Sequence, residues 1–174
     1  MKTLLIVYHS MTGGTRQMAE AAAAAARAEA AADPSGPALQ AQVQVKLLRA
    51  EQAGPEQLLA ADGYLFATAE NLAAIAGLMK DFFDRCYYPA LDQLNGRPYA
   101  AMVCAGSDGH NAARQLQRIA TGWRLAEVAP PLIVCTHAQT PEAILAPKQI
   151  GPEDLRRCAE LGAALAAGLA LGVF

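Results

Sequence analysis

The chain lacks several motifs that would assign a nucleotide or metal at once. It has neither a GxGxxG turn nor a GxxxxGKS/T loop, which argues against ATP, GTP or a Rossmann-bound NAD at its first strand-to-helix joint. Its cysteines form no CxxC pair, because they are spread along the chain as Cys86, Cys104, Cys135 and Cys158. This spacing suggests neither a zinc site nor a disulfide framework, so we expect buried thiols in a reducing compartment.

An excess of charge of one sign is also absent. There are 14 Lys and Arg against 16 Asp and Glu, and the basic residues are scattered rather than clustered, which argues against a nucleic-acid partner. A strand-like run begins at Lys2, which leaves no room for a signal peptide, and the apolar stretch 161–174 is too short to span a bilayer. We therefore expect a cytoplasmic protein with no membrane partner, and a single domain over residues 1–174.

What the chain does contain is a regular alternation of strand-like and helix-like segments. Strand patterns cover residues 2–8, 41–48, 63–68, 97–104 and 132–136. Helix patterns cover residues 15–32, a short stretch opened by Pro55, a stretch from Leu78 to Cys86, residues 111–121 and residues 152–171. The breaker-rich residues 33–37 predict a loop. Five strands that alternate with helices predict a parallel sheet with helices on both faces.

The most informative stretch runs from His9 to Arg16, between an apolar strand and an alanine-rich helix. At such a joint, free backbone N–H groups and the positive end of the helix lie beside the hydroxyl groups of Ser10, Thr12 and Thr15. An anion can then be held by neutral donors alone, and a terminal phosphate monoester would fit. The alternative is an ordinary strand-to-helix turn capped by a serine or threonine.

Two further loops belong to the same predicted edge of the sheet. In parallel sheets the ligand lies beyond the carboxyl ends of the strands, where the strand order reverses. Residues 9–15, 69–76 and 105–111 follow the first, third and fourth predicted strands, and all three loops are small and polar. For the third loop, the alternative is a helix N-cap formed by Ser107 or Asp108.

These residues resemble a known family, the flavodoxin-like FMN proteins, and within it the small NAD(P)H-dependent FMN and quinone reductases. The run YHSMTGGTR at 8–16 resembles the family's loop for the FMN 5′-phosphate, and GLMKDFFDR at 77–85 resembles the SGxLKxFxDR helix that follows its flavin-ring loop. The resemblance covers nearly the whole chain. It implies a flavodoxin-like, doubly wound, five-stranded parallel sheet in the order 2-1-3-4-5 with helices on both faces.

Carried over residue by residue, the resemblance implies three groups of cofactor contacts and neither a catalytic acid or base nor a metal ligand. The phosphate would be held by Ser10, Met11, Thr12, Gly13, Gly14 and Thr15. The isoalloxazine ring would lie along Thr68, Ala69, Glu70, Asn71, Leu72 and Ala73. The other side of the ring would be closed by Gly106, Ser107, Asp108, Gly109 and His110. The chain departs from the family pattern at Ala69, where relatives commonly have proline, and at Ala73, where many have glycine.

The function implied by the resemblance is that of an FMN-binding oxidoreductase. It would transfer electrons from NADPH or NADH to a quinone or flavin acceptor, and it could form a homo-oligomer, as many relatives do. Neither loop beside the ring carries a tryptophan or tyrosine. One face of the flavin could therefore stay open to a nicotinamide, which suits direct hydride transfer.

Two other functions remain open at this point. The same FMN site could serve a flavodoxin-type electron carrier, which acts on a redox protein without turning over NAD(P)H itself. Carriers of that kind are usually strongly acidic, whereas the formal charge here is -2. A remote alternative is a cysteine hydrolase that uses Cys104 and His137, because these residues follow neighbouring strands in the predicted topology.

Overall fold

The computed structural model describes residues 1–31 and 42–174. Within these residues, the strands are β1 (Lys2–Tyr8), β2 (Val43–Arg49), β3 (Gly63–Asn71), β4 (Ala74–Ile75), β5 (Pro98–Ala105), β6 (Ala126–Glu127) and β7 (Leu132–Cys135). The helices in the same part of the chain are α1 (Gly14–Ala31), α2 (Pro55–Leu59), α3 (Gly77–Ala90), α4 (His110–Gly122), α5 (Pro141–Leu145) and α6 (Pro152–Leu171).

The sheet has the predicted strand order, except that two short strands, β6 and β7, occupy its fifth position in place of one. Its strands run β2-β1-β3-β5, and both β6 and β7 pair in parallel with β5. Because β6 pairs with the start of β5 and β7 with its end, the two segments together fill the fifth position. Pro130 and Pro131 lie between them, and proline has no N–H to donate to a neighbouring strand. The order 2-1-3-4-5 is therefore confirmed, and β6 is a segment that the sequence did not predict.

Helices cover both faces of the sheet, as predicted. Along β1 the side chains alternate between the two faces, so Leu4 and Ile6 pack in one core with α1 and α6, while Leu5 and Val7 pack in the other with α2, α3 and α4. All four of these side chains are completely buried. This burial on both faces explains the continuous apolar run at 4–7, which is typical of a central parallel strand.

One predicted loop is wrong. Residues 69–76 were expected to be irregular, but β3 continues to Asn71 and β4 returns antiparallel to it, with Glu70 opposite Ile75 and Asn71 opposite Ala74. The prediction failed because this short hairpin is stabilised by contacts with α4, a helix that lies more than 30 residues further along the chain. We call residues 68–76 the ring-side hairpin.

The remaining boundaries agree with the sequence to within one or two residues where the structure describes them, except that α3 continues to Ala90, four residues beyond Cys86. The predicted end of the first helix at 32, the loop at 33–37 and the first residue of the second strand at 41 lie outside the described residues. Helix α5 was not predicted. Among the described residues, no helix combines the length and apolar character needed to cross a membrane.

Candidate functional site

A cleft of about 520 Å³ lies beyond the carboxyl ends of the central strands. All three loops that the sequence singled out contribute to its wall, together with residues that follow β7. The lining residues are Ser10, Met11, Thr12, Gly14, Thr15, Ala69, Glu70, Asn71, Leu72, Cys104, Ala105, Gly106, Ser107, Thr136, Ala138, Ile144, Leu145 and Lys148. The cleft is thus at the switch point where α/β sheets bind their ligands.

The loop between β1 and α1 presents several backbone donors to this cleft. Gly13 has φ of +89°, a left-handed conformation that favours glycine, and its N–H donates to Ser10 Oγ over 3.1 Å. Within the described part of the chain, the N–H groups of Met11, Thr12, Gly14 and Thr15 have no hydrogen-bond acceptor. Unpaired N–H groups at a helix start are the donors that an anion requires.

The hydroxyl group of Thr15 gives the clearest indication that the cleft suits a ligand able to form hydrogen bonds. Thr15 is almost fully buried in the cleft wall, and its Oγ1 has no hydrogen-bond partner among the described residues. Buried polar atoms are nearly always paired. A phosphate oxygen in the cleft would accept a hydrogen bond from this hydroxyl group as well as from the free amides, so the loop fits the terminal phosphate of FMN.

The ring-side hairpin is held in a strained turn by α4. Its two turn residues, Leu72 and Ala73, have φ of +50° and +60°, although two-residue turns with both φ values positive strongly prefer asparagine and glycine. Asn111 Nδ2 donates to the carbonyl oxygen of Ala73 over 2.6 Å, and Gln115 Oε1 accepts from the N–H of Ile75 over 3.0 Å. These bonds from α4 offset the cost of the turn and fix the hairpin beside the cleft.

The third loop is joined to this hairpin by a carboxylate. Gly109 has φ of +82°, and a Cβ atom there would lie 2.7 Å from Ile133 Cγ2, so only glycine fits. Its N–H donates to Glu70 Oε1 over 3.0 Å. Glu70 therefore connects the two walls that the sequence assigned to opposite sides of the flavin ring.

The fourth wall comes from residues 140–150, which we call the covering segment. It contains α5, where Thr140 Oγ1 caps the helix by accepting from the N–H of Ala143 over 3.2 Å. The N–H of Lys148 donates to the carbonyl oxygen of Thr12 over 2.8 Å. Ile144 and Leu145 line the cleft while they remain 52% and 78% exposed. An apolar surface that is open to solvent thus lies directly beside the phosphate loop.

The side chain of Lys148 forms its hydrogen bonds within the covering segment itself. Lys148 Nζ donates to the carbonyl oxygens of Ala143, Ile144 and Ala146 over 2.7, 2.8 and 2.6 Å. Because three backbone acceptors hold the ammonium group, its positive charge stays fixed at the end of α5, in a residue that also lines the cleft. Charge near a bound anion is favourable even without direct contact.

Most of the predicted contact residues lie on the cleft, but six do not line it. These are Gly13, Thr68, Ala73, Asp108, Gly109 and His110. Thr68 is completely buried, and its hydroxyl group bonds within the ring-side hairpin, to the carbonyl of Ala69 and from the N–H of Ala76. The two glycines shape the backbone of their loops, as their positive φ values show.

Sequence reasoning also missed part of the lining. The missed residues are Cys104, Ala105, Thr136, Ala138, Ile144, Leu145 and Lys148. The Thr-Pro pair at 140–141 is a helix-start signal that could have revealed α5. Nothing local indicates that α5 folds back over the phosphate loop.

The structure gives no support to a cysteine nucleophile at Cys104. Burial raises the pKa of its thiol to about 11, and the positive charge of Lys148 offsets this shift only in part. The side chain of His137 is exposed, and no hydrogen bond joins it to Cys104 in the part of the chain described. A catalytic cysteine needs a lowered pKa and a base within reach. The same residues also contain no cluster of His, Cys, Asp and Glu side chains able to hold a metal ion.

Comparison with known proteins decides the family. The model of the family described as NADPH-dependent FMN reductase matches residues 1–140. The chain belongs to this family. The resemblance inferred from the sequence is therefore confirmed, and this member of the family is an FMN-type flavoprotein with a flavodoxin-like fold. The family match ends at residue 140, so the covering segment beyond Thr140 lies outside it.

Individual relatives agree with this assignment. A flavodoxin from Aquifex aeolicus is 28% identical over 109 residues, which are 63% of this chain and 53% of that protein. The matched region thus spans about half the length of that relative. A flavodoxin from the domain Archaea has a TM-score of 0.72 at 17% identity, and the match covers 96% of this chain and 98% of that one. A flavodoxin-type, WrbA-like protein from Agrobacterium tumefaciens has a TM-score of 0.71 at 18% identity, with 95% and 96% covered.

Proposed function

We propose that this protein is an FMN-dependent oxidoreductase that takes electrons from NADPH or NADH and passes them to a quinone or flavin acceptor. The observation that supports this most strongly is at the start of α1, where four backbone N–H groups and the buried Thr15 hydroxyl have no partner among the described residues and belong to residues that line the cleft. When bound, FMN supplies the hydride and single-electron chemistry.

In this proposal the chain's own residues bind and orient the cofactor. The Ser10–Thr15 loop holds the phosphate, and the fixed charge of Lys148 adds to the attraction. Glu70 and Gly109 keep the ring-side hairpin and the third loop at a set separation, because their hydrogen bond joins the two walls. When the walls of a pocket are already fixed, little freedom of motion is lost on binding. The entropic cost of binding is therefore smaller.

The small side chains of the cleft favour direct reaction with a nicotinamide. No aromatic residue lines the cleft among the residues described, so nothing in those walls stacks on a flavin face. A nicotinamide could then approach to within the roughly 3–3.5 Å that a reacting pair requires. This feature favours an enzyme over a protein that only carries electrons.

The second candidate is a flavodoxin-type carrier that passes electrons to a redox protein. It is favoured by the flavodoxin relative from Aquifex aeolicus. The formal net charge of -2 argues against it, since the strong acidic field that steers a basic partner is not present.

Anaerobic stopped-flow absorbance distinguishes the two. If the FMN-loaded protein is an enzyme, NADPH or NADH bleaches the flavin in one two-electron step and electron paramagnetic resonance stays silent. A quinone or free FMN then restores the colour. If neither nucleotide reduces the flavin within minutes while dithionite does, the carrier function is correct and the proposal is wrong.

A further inference from the structure

A second cavity of about 230 Å³ lies between the ring-side hairpin, α3 and α4. Ile75 and Ile119 contribute apolar surface, and the other lining residues contribute mainly the carbon atoms of their charged or polar side chains. The full set is Ile75, Lys80, Arg114, Gln115, Arg118 and Ile119. An apolar base with a cationic border is typical of a site for an anionic group attached to an apolar or aromatic body.

Two of the cationic residues that line it have no acidic partner in the described part of the chain. Lys80 forms an ion pair with Asp84 over 2.6 Å, but Arg114 and Arg118 have no carboxylate within ion-pair distance in residues 1–31 and 42–174. Both arginines are exposed and lie one turn apart on α4. Like charges at this spacing destabilise a helix. The arrangement therefore costs the fold some stability, which an anion bound between the two guanidinium groups would recover.

The second cavity lies directly beside the cofactor cleft. Glu70, which lines the cleft, is paired across the hairpin with Ile75, which lines the second cavity. Paired residues in antiparallel strands have Cα atoms about 5 Å apart. Helix α4 holds this hairpin through Asn111 and Gln115, and Gln115 also lines the second cavity. A ligand that crosses the hairpin could thus occupy both sites.

We propose that Arg114 and Arg118 bind the phosphate monoester on the adenosine ribose of NADPH while its nicotinamide lies over the flavin. The inference rests on the proposed function and names the residues that select the electron donor. Guanidinium groups bind phosphate through paired, charge-assisted hydrogen bonds. The adenosine would pack on Ile75 and Ile119. NADH lacks this phosphate, so the site selects NADPH over NADH.

Calorimetric titration of the FMN-loaded protein tests the site without any turnover. Adenosine 2′-monophosphate is the probe, with adenosine and inorganic phosphate as comparison ligands. We expect the wild type to bind the probe at least about tenfold more tightly than either comparison ligand. The double variant R114Q/R118Q should lose at least about tenfold in affinity for the probe. The control R156Q/R157Q removes the same charge from α6, on the opposite face of the sheet, and should change the affinity by less than about twofold.

Steady-state kinetics then test the link to catalysis. In R114Q/R118Q the KM for NADPH should rise by at least about tenfold, while the KM for NADH and the kcat with either donor stay within about twofold. The inference would be overturned if R114Q/R118Q raised the KM for NADPH and for NADH equally, or if R156Q/R157Q lost as much affinity for the probe. It would also be overturned if the wild type bound the probe no more tightly than adenosine. If no flavin reduction occurs with either nucleotide, the proposed function fails. Calorimetry still decides the phosphate site in that case.

Discussion

The side chain of Gln17 connects helix α1 to the backbone of Lys148. Its Nε2 donates to the carbonyl oxygen of Lys148 over 2.7 Å and to that of Gly13 over 3.0 Å, and its Oε1 accepts from the N–H of Ile150 over 3.2 Å. One amide thus holds the covering segment against the phosphate loop. The geometry of the cleft therefore depends on a contact between residues more than 130 positions apart in the sequence.

Replacement of Gln17 by alanine should loosen the covering segment. Three hydrogen bonds disappear, each with a net contribution of about 0.5–1.5 kcal/mol, so we expect a loss of about 2 kcal/mol in local stability. Hydrogen exchange of the amides of Lys148 and Ile150 measures it, and their protection should fall. Gln117→Ala is the control, because Gln117 makes one exposed side-chain bond to Glu127. Unchanged protection in Gln17→Ala would contradict the connection.

The phosphate loop should distinguish FMN from riboflavin. In the double variant Thr12→Val and Thr15→Val, two hydroxyl donors are lost, each with a contribution of roughly 1.5–3 kcal/mol when the acceptor is charged. Fluorescence titration should show much weaker FMN binding and unchanged riboflavin binding. Thr3→Val, a buried threonine at the other end of β1, is the control. Equal affinity of the wild type and the double variant for FMN would refute the phosphate assignment.

The turn of the ring-side hairpin should become more stable with glycine at position 73. Ala73 has φ of +60°, and left-handed backbone costs a residue with a side chain roughly 1–2 kcal/mol. Part of that gain is lost to the greater freedom of glycine in the unfolded chain, so we expect Ala73→Gly to raise the unfolding free energy by about 0.5–1 kcal/mol. Urea denaturation measures the change. The neighbouring variant Ala74→Gly, in β4, should lower stability instead. If both changes act in the same direction, the strain is absent.

The four thiols should differ in reactivity. Cys135 is half-buried, whereas Cys86, Cys104 and Cys158 are buried. Burial raises the pKa of all four thiols, to about 11, 11 and 12 for Cys86, Cys104 and Cys158, so accessibility distinguishes Cys135. The thiolate is the reactive form. An aromatic disulfide reagent at neutral pH should therefore modify one thiol per native chain, and Cys135→Ser should abolish this reaction.

The pH dependence of folding stability follows from the direction in which the pKa of Cys104 is shifted. Because the folded pKa of Cys104 lies above its ordinary value of 9.0, the folded state favours the protonated thiol. Its contribution to stability is complete below pH 9.0 and decreases as the pH rises toward about 11. Rapid modification of Cys104 in the native protein at neutral pH would contradict this and would favour the hydrolase alternative.

The order of the sheet could be predicted from the sequence because its signals are local. Apolar runs such as 4–7 and helix periodicity such as Leu78, Phe82 and Cys86 depend only on neighbouring residues. Strand–helix alternation then leaves few topologies. The phosphate loop could be found for the same reason, since its hydroxyl groups and glycines are consecutive.

The rest of the cleft was decided by tertiary structure. The amino-acid sequence determined the alternation of strands and helices and the chemistry of the Ser10–Thr15 loop. Only folding decided that residues 69–76 form a hairpin, because Asn111 and Gln115 of α4 hold its strained turn. Folding likewise brought the covering segment onto Thr12 through Lys148. Such contacts arise from packing between distant segments, and no periodicity or spacing along the chain encodes them.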